Sequence, residues 1–161
     1  MSESIIVADY NDPQHAGDIV QLLDNYARDP MGGGEPLSDY TRAHLIEKLQ
    51  QIPGAFSLLC YHQGCAVGFA NCLMGFSSFK CYPLINIHDI AVLADFRGRG
   101  IARQMLTKIE DIARQRGCCK ITLEVLQGNV VAQSAYRKFG FAGYELDPKT
   151  GEAMMWQKLL S

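Results

Sequence analysis

The chain has 161 residues, of which 48% are hydrophobic and 20% charged, with a formal net charge of -2 and 15 Gly against 6 Pro. That is enough to bury one sizeable core and too little for two ordinary domains, so residues 1–161 are expected to form a single domain. The same balance excludes disordered and collagen-like chains, and the weak negative charge argues against a nucleic-acid partner.

No apolar run approaches the roughly 18 residues that a membrane span needs. The opening Met1-Ser2-Glu3-Ser4-Ile5 lacks the basic and apolar stretches of a secretory signal, so a cytoplasmic location with no membrane role is expected. Cys60, Cys65, Cys72, Cys81, Cys118 and Cys119 make no C-x-x-C pair. They read as reduced small hydrophobes, and no metal site is expected.

In chain order, Ser4 to Ala8 reads as a strand, and Asp12-Pro13 supplies a cap and first-turn proline for a helix to about Arg28. Ile19, Leu22, Leu23 and Tyr26 line its apolar face. Residues 29–36, rich in Gly and Pro, form an expected mobile loop before Ser38 caps a helix over 39–51. Ala55 to Tyr61 and Cys65 to Gly75 flank His62-Gln63-Gly64 as an antiparallel hairpin. Leu84 to Leu93 is apolar on both faces, as in a central strand, and strict alternation puts His88 and Asp89 on opposite faces unless the strand bulges. A helix follows over about 100–116, with Gly117 after it, then a strand from Lys120 to Leu126 that the crossover makes parallel to Leu84 to Leu93. Asn129 caps a last helix ending at Gly140, and Phe141 to Leu146 with Ala153 to Leu159 read as a closing hairpin. The exposed apolar Ala153 to Leu159 would suit a homodimer.

Charge is unevenly spread. Residues 95–120 carry seven basic side chains against three acidic ones, whereas residues 1–40 carry eight carboxylates and only Arg28. The first region suits an anionic ligand and the second a cationic one.

Chemistry concentrates at Arg97-Gly98-Arg99-Gly100-Ile101-Ala102, where the chain leaves a strand and enters a helix. Small residues admit a ligand close to the backbone, helix-start amides point outward, and the dipole and arginines add positive potential, which suits a phosphate or pyrophosphate. No Gly-Lys-Ser or Gly-Lys-Thr occurs, which excludes a P-loop. A dinucleotide fold fits less well, because Arg103 stands at the third glycine position and Asp95-Phe96-Arg97 lengthens the turn.

The pattern Arg97-x-x-Gly100-x-Ala102 resembles the acyl-CoA signature of the GNAT superfamily of N-acyltransferases. Asp89-Ile90-Ala91-Val92 before it and Asn129-x-x-Ala132-x-x-x-Tyr136-x-Lys138-x-Gly140-Phe141 after it extend the resemblance over about residues 84–141. The resemblance implies a mixed, mostly antiparallel α/β sheet of six to seven strands with a central splayed parallel pair, flanked by about four helices. It implies acetyl-CoA as co-substrate, with the pyrophosphate at Arg97, Gly98, Arg99, Gly100, Ile101, Ala102 and Arg103. The pantetheine arm would pair with Ile90, Ala91 and Val92 and touch Asn129.

By the same resemblance Tyr136 lies beside the thioester sulfur and protonates the leaving thiolate, and a phenol of pKa about 10 still holds its proton at neutral pH. His88 is the first choice of base, with Asp89 and Glu124 as the other candidates. Cys72 or Cys81 as nucleophile would need an activating partner that the sequence does not supply. Glu35, Asp39 and Glu124 are expected at an acceptor site for a small cationic amine such as a polyamine, aminoglycoside or amino acid. A protein N-terminus or lysine remains as an acceptor, and a non-catalytic acyl-CoA sensor as the alternative function.

Overall fold

The computed structural model describes residues 3–145 and 147–160. They fall into two compact units, one ending at Leu126 and one beginning at Gln127.

The first unit is a five-stranded sheet in sequence order: β1 (Ser4–Val7), β2 (Phe56–His62), β3 (Cys65–Ser77), β4 (Tyr82–Val92) and β5 (Ile121–Leu123). The first four strands pair antiparallel, and β4 with β5 parallel. Helix α1 (Pro13–Arg28) begins where the Asp12 side chain accepts from the amides of Gln14 and His15, and α2 (Asp39–Gln51) where Ser38 accepts from the amide of Thr41. Helix α3 (Ile101–Gln115) spaces Ile101, Met105, Leu106, Ile109 and Ala113 along one buried stripe. Gly117, at φ +71°, follows its end in the left-handed conformation that glycine allows.

Two core layers result. Ile19 and Leu22 of α1 pack on Leu59 and Phe69, while Gly68, next to Phe69 and so facing the other way, would place a Cβ within 3.4 Å of Ile101 and Met105 of α3. The two helices therefore cover opposite faces. On the α1 face, Leu59, Phe69 and Ala91 stand opposite one another across β2, β3 and β4. Burying each large side chain of that row contributes about 1.5–3 kcal/mol.

The turn-rich stretch after α1 is pinned rather than loose. The amides of Gly34 and Glu35 donate to the carbonyl of Ala27 at 2.9 and 3.1 Å, and Met31 donates to Asp29 Oδ1 at 2.9 Å. A Cβ on Gly32 would stand 1.9 Å from the carbonyl oxygen of Tyr26, so this close approach admits only glycine.

In the second unit, α4 (Val130–Phe139) starts at Asn129, whose side chain accepts from the amide of Ala132, and stops at Gly140 with φ +112°. The strand count differs from expectation: among the described residues the sheet has five strands, not six to seven. Asp147 to Gly151 does turn, with Thr150 and Gly151 donating to the carbonyl of Asp147, but pairing beyond it is one bridge, Glu145 with Glu152. Phe141 to Leu146 and Ala153 to Leu159 are thus not strands among the described residues, and Leu146 lies outside them. A two-stranded ribbon has too little to bury to hold itself. No described helix is long and apolar enough to cross a membrane.

Candidate functional site

Parallel pairing between β4 and β5 covers only Ile85, Ile87 and Asn86 between them, opposite Ile121 to Leu123. From Asp89 to Val92, β4 keeps its antiparallel partner β3, but β5 has ended. Among the described residues that edge of β4 has no strand partner, which is the expected splay, and it includes Ile90, Ala91 and Val92.

The chain leaves this edge through a short 3₁₀ turn, Ala94–Phe96, and enters α3 at Gly100. Gly98 and Gly100 both adopt left-handed φ, +77° and +81°, and a Cβ on either would meet nothing within 4 Å. They are glycines for their conformation, and they leave open space in front of the α3 start. The amides of Ile101, Ala102 and Arg103 precede that of Gln104, the first to donate within the helix, to the carbonyl of Gly100 at 3.0 Å, and no side chain caps them.

The arginines are held in the loop itself. Arg97 donates through Nε to the carbonyl of Val92 at 3.1 Å and stands 3.6 Å from Asp29 Oδ2. Arg99 lies over the Phe96 ring, 4.8 Å from its centroid, and donates to the carbonyl of Asp95. Asp29, which ties the loop after α1 to Arg97, carries no motif that would have revealed it.

Alternation fails at His88. Asn71 pairs with Asp89 and Cys72 with Ile87, so His88 is the extra residue of a β-bulge. The imidazole and carboxylate therefore meet, His88 Nδ1 to Asp89 Oδ1 at 3.2 Å, in place of the opposite-face arrangement of a regular strand. The His88 side chain is 66% exposed and that of Asp89 only 17%, so the ring reaches solvent from a sheltered carboxylate. The Asp89 hydrogen bond raises the His88 pKa above its ordinary value, with smaller contributions from the charges of Asp89 and Glu124 and a partial offset from burial. Asp89 also faces Tyr26 of α1, a half-buried phenol whose pKa is raised mainly by burial and further by Asp89 and Asp29.

The other expected residues divide. Glu124, just beyond β5, is near enough to act on His88. Glu35 and Asp39 are exposed, on the loop before α2 and at its first residue, and neither side chain is paired among the described residues. The remaining acidic groups of that region are occupied: Asp24 by Arg28, Arg42 and the amide of Leu37, Asp18 by the Tyr61 hydroxyl, and Asp12 by the α1 cap. Tyr136 and Asn129 lie on and before α4 in the second unit. Burial pushes the Cys72 thiol up to about 12, which leaves it inert as a nucleophile. No group of three His, Cys, Asp or Glu arranged for a metal occurs among the described residues.

Residues 19–141 match the acetyltransferase (GNAT) family profile. The chain belongs to the GNAT family. It is 40% identical over 85 residues to streptothricin acetyltransferase of Streptomyces lavendulae, a match covering 51% of this chain and 45% of that protein. It is 31% identical over 109 residues to the N-alpha-acetyltransferase MAK3 of Arabidopsis thaliana, covering 66% and 53% respectively. The matched stretch thus spans about half the length of these two relatives. Among solved structures, the aminoglycoside N-acetyltransferase AAC(6')-Iy in complex with CoA superposes with a TM-score of 0.73 at 21% identity, covering 98% of this chain and 95% of that one. At that identity the likeness is one of fold, and it places this GNAT chain's mixed sheet among known architectures.

Proposed function

We propose that this protein is an acetyl-CoA-dependent N-acetyltransferase whose acceptor is a primary amine of a small cationic molecule, of polyamine, aminoglycoside or amino acid type. The observation that carries the reading is the uncovered β4 edge running directly into the glycine-bracketed start of α3. A pantetheine arm has amides suited to strand-like pairing with Ile90, Ala91 and Val92. A pyrophosphate suits the amides of Ile101, Ala102 and Arg103, the positive end of α3, and the open space that Gly98 and Gly100 leave. Arg97 and Arg99 add charge. Family resemblance supports Asn129 as a further contact to the arm.

Acetyl-CoA supplies the thioester; the chain's own residues supply binding and proton transfer. His88 Nε2, with Nδ1 turned to Asp89, takes a proton from the acceptor amine, and the neutral amine then forms the new C–N bond as the C–S bond breaks. A backbone N–H near Val92 stabilises charge developing on the acetyl oxygen. Tyr136 gives a proton to the departing thiolate and regains one from the acylated nitrogen, which must lose its second hydrogen to become the amide, a role supported by the resemblance. Glu35, Asp39 and Glu124 attract the cationic acceptor. No metal enters this scheme.

The relatives by sequence named for streptothricin and aminoglycosides favour the small cationic acceptor. Similarity to an N-alpha-acetyltransferase favours a second acceptor class, a peptide N-terminus. The test is release of free CoA thiol from acetyl-CoA across polyamines, aminoglycosides, amino acids and peptides, with Tyr136→Phe and His88→Ala beside the wild type. Acceptor-dependent release that falls in both variants, with CoA affinity retained, is expected. Tight CoA binding without turnover on any acceptor would make the protein a sensor instead.

A further inference from the structure

Two polar side chains in the sheet are almost fully buried, Ser57 at 0% and Asn71 at 3% exposure, and the catalytic scheme above uses neither. Burying hydroxyl and amide groups is costly unless each finds a partner. Here every partner is found within one line. Ser57 pairs with Asn71 across β2 and β3, and Asn71 with Asp89 across β3 and β4, so the three form a cross-strand row beside the apolar row of Leu59, Phe69 and Ala91.

The hydrogen bonds of this row have a fixed direction. The carboxylate Asp89 Oδ2 can only accept, so Asn71 Nδ2 donates to it at 3.1 Å, which turns the amide oxygen toward β2. That oxygen accepts from Ser57 Oγ at 2.6 Å. Having given its proton to Asn71, Ser57 Oγ must accept from Tyr10, whose hydroxyl is 2.8 Å away. At the other end Asp89 Oδ1 is left to accept from His88 Nδ1 at 3.2 Å. An amide in the middle cannot pass a proton along, so the row is not a proton wire. Its effect is to hold the carboxylate in one orientation.

We infer that Asn71, oriented by Ser57 and Tyr10, is a positioning residue that aims Asp89 at His88 Nδ1 and thereby leaves His88 Nε2 free to act as base. The bulge is what makes this possible. In a regular continuation from Cys72 and Ile87, Asn71 would stand opposite His88; the extra residue brings Asp89 into that place and turns the imidazole outward. The catalytic part of this inference rests on the proposed base role of His88, whereas the tautomer part does not. The charged and titratable groups facing the pair are Glu124 beyond β5, Tyr26 of α1 and Cys72 of β3.

The test is nitrogen-15 NMR of the histidine imidazoles in the full chain, with His88 identified by loss of its signal in His88→Ala. In the wild type, neutral His88 is expected to carry its proton on Nδ1. In Asn71→Leu it should shift toward the form protonated on Nε2, and its titration midpoint should fall toward about 6.5. The maximal kcat should fall about tenfold, with the acetyl-CoA Kd unchanged. Ser57→Ala, a smaller change, should move the midpoint the same way and decides the matter if Asn71→Leu does not fold. Leu58→Val, a core truncation on the same strand, should lower stability without moving it. An unmoved tautomer and midpoint in the folded Asn71 or Ser57 variants would overturn the inference. If they move while His88→Ala retains wild-type turnover, positioning stands and the base assignment fails; if His88→Ala is inactive and they do not move, the reverse holds.

Discussion

Gly100→Ala tests whether the loop binds through its backbone shape. Gly100 sits at φ +81° and ψ 10°, and a Cβ there meets nothing within 4 Å, so the substitution adds no clash and its cost is purely conformational. An L-residue held left-handed costs about 1–2 kcal/mol, and the stiffer unfolded chain offsets roughly 0.4–1 kcal/mol of this. A net loss near 1 kcal/mol lowers Tm by about 2–4 °C in a chain of this size. If the loop relaxes in the free protein and must regain its shape to present the amides of 101–103, CoA binding bears the full 1–2 kcal/mol and Kd weakens about 5- to 30-fold. Gly117→Ala is the control: it has φ +71°, equally open space, and a place at the far end of α3, about 20 Å along the helix. Strain held in the free protein appears as lost Tm, and strain relieved there reappears as a weaker Kd. Scanning calorimetry should therefore show the full Tm loss for Gly117→Ala and a smaller one for Gly100→Ala, and titration calorimetry with CoA a weaker Kd for Gly100→Ala alone. A smaller Tm loss in Gly100→Ala together with an unchanged Kd would refute the reasoning that this conformation forms the site.

Gly17→Ala, in the exposed interior of α1 with nothing within 4 Å of the new Cβ, should stabilise the chain by about 0.5–1 kcal/mol and raise Tm without altering turnover. Asp24 has its pKa lowered, first by the amide of Leu37 and then by Arg28 and Arg42. Its contribution is therefore present above the ordinary carboxylate pKa and lost as pH falls through the folded value, so Asp24→Asn should narrow the gap in urea midpoint between about pH 6 and pH 3. His88 has the opposite sign: its pKa is raised by Asp89, so its contribution is present below about 6.5 and lost as pH rises through the folded value. Asp89→Asn should thus cost more stability at about pH 5.5 than at about pH 8.5 by urea titration, and should shift the acidic limb of the kcat profile to lower pH.

What could be read from the sequence was what short spacings dictate. Asp12-Pro13, Ser38, Asn129, Gly117 and Gly140 each start or stop a helix as their chemistry requires, and Arg97 to Ala102 marks the strand-to-helix loop. The closing hairpin does not form as two strands among the described residues, because alternation in Ala153 to Leu159 signals compatibility with a strand and not the presence of a partner edge. Of the eight carboxylates in residues 1–40, Glu3, Asp9, Asp12, Asp18, Asp24 and Asp29 are engaged by His62, an amide, a helix cap, a hydroxyl or arginines, and among the described residues Glu35 and Asp39 have no paired side chain. Ser57 and Asn71 gave no local signal at all. Their importance depends on register across three strands, a long-range property that neither residue's neighbours encode.

The bulge also gives a physical reason for proposing the reacting end of the site at His88. An extra residue raises local twist and turns the strand away from its former direction. It falls one residue after Ile87, the last position paired with β5. The redirected imidazole and the newly uncovered edge therefore begin at the same point of β4. A chain lying along Ile90 to Val92 and ending near the bulge would present its terminal group beside a base that has already been turned toward solvent. Moving the bulge by one residue would leave the open edge intact but take Asp89 out of register with Asn71, so the proposed donor cleft and the proposed base are joined by a single insertion in the ladder.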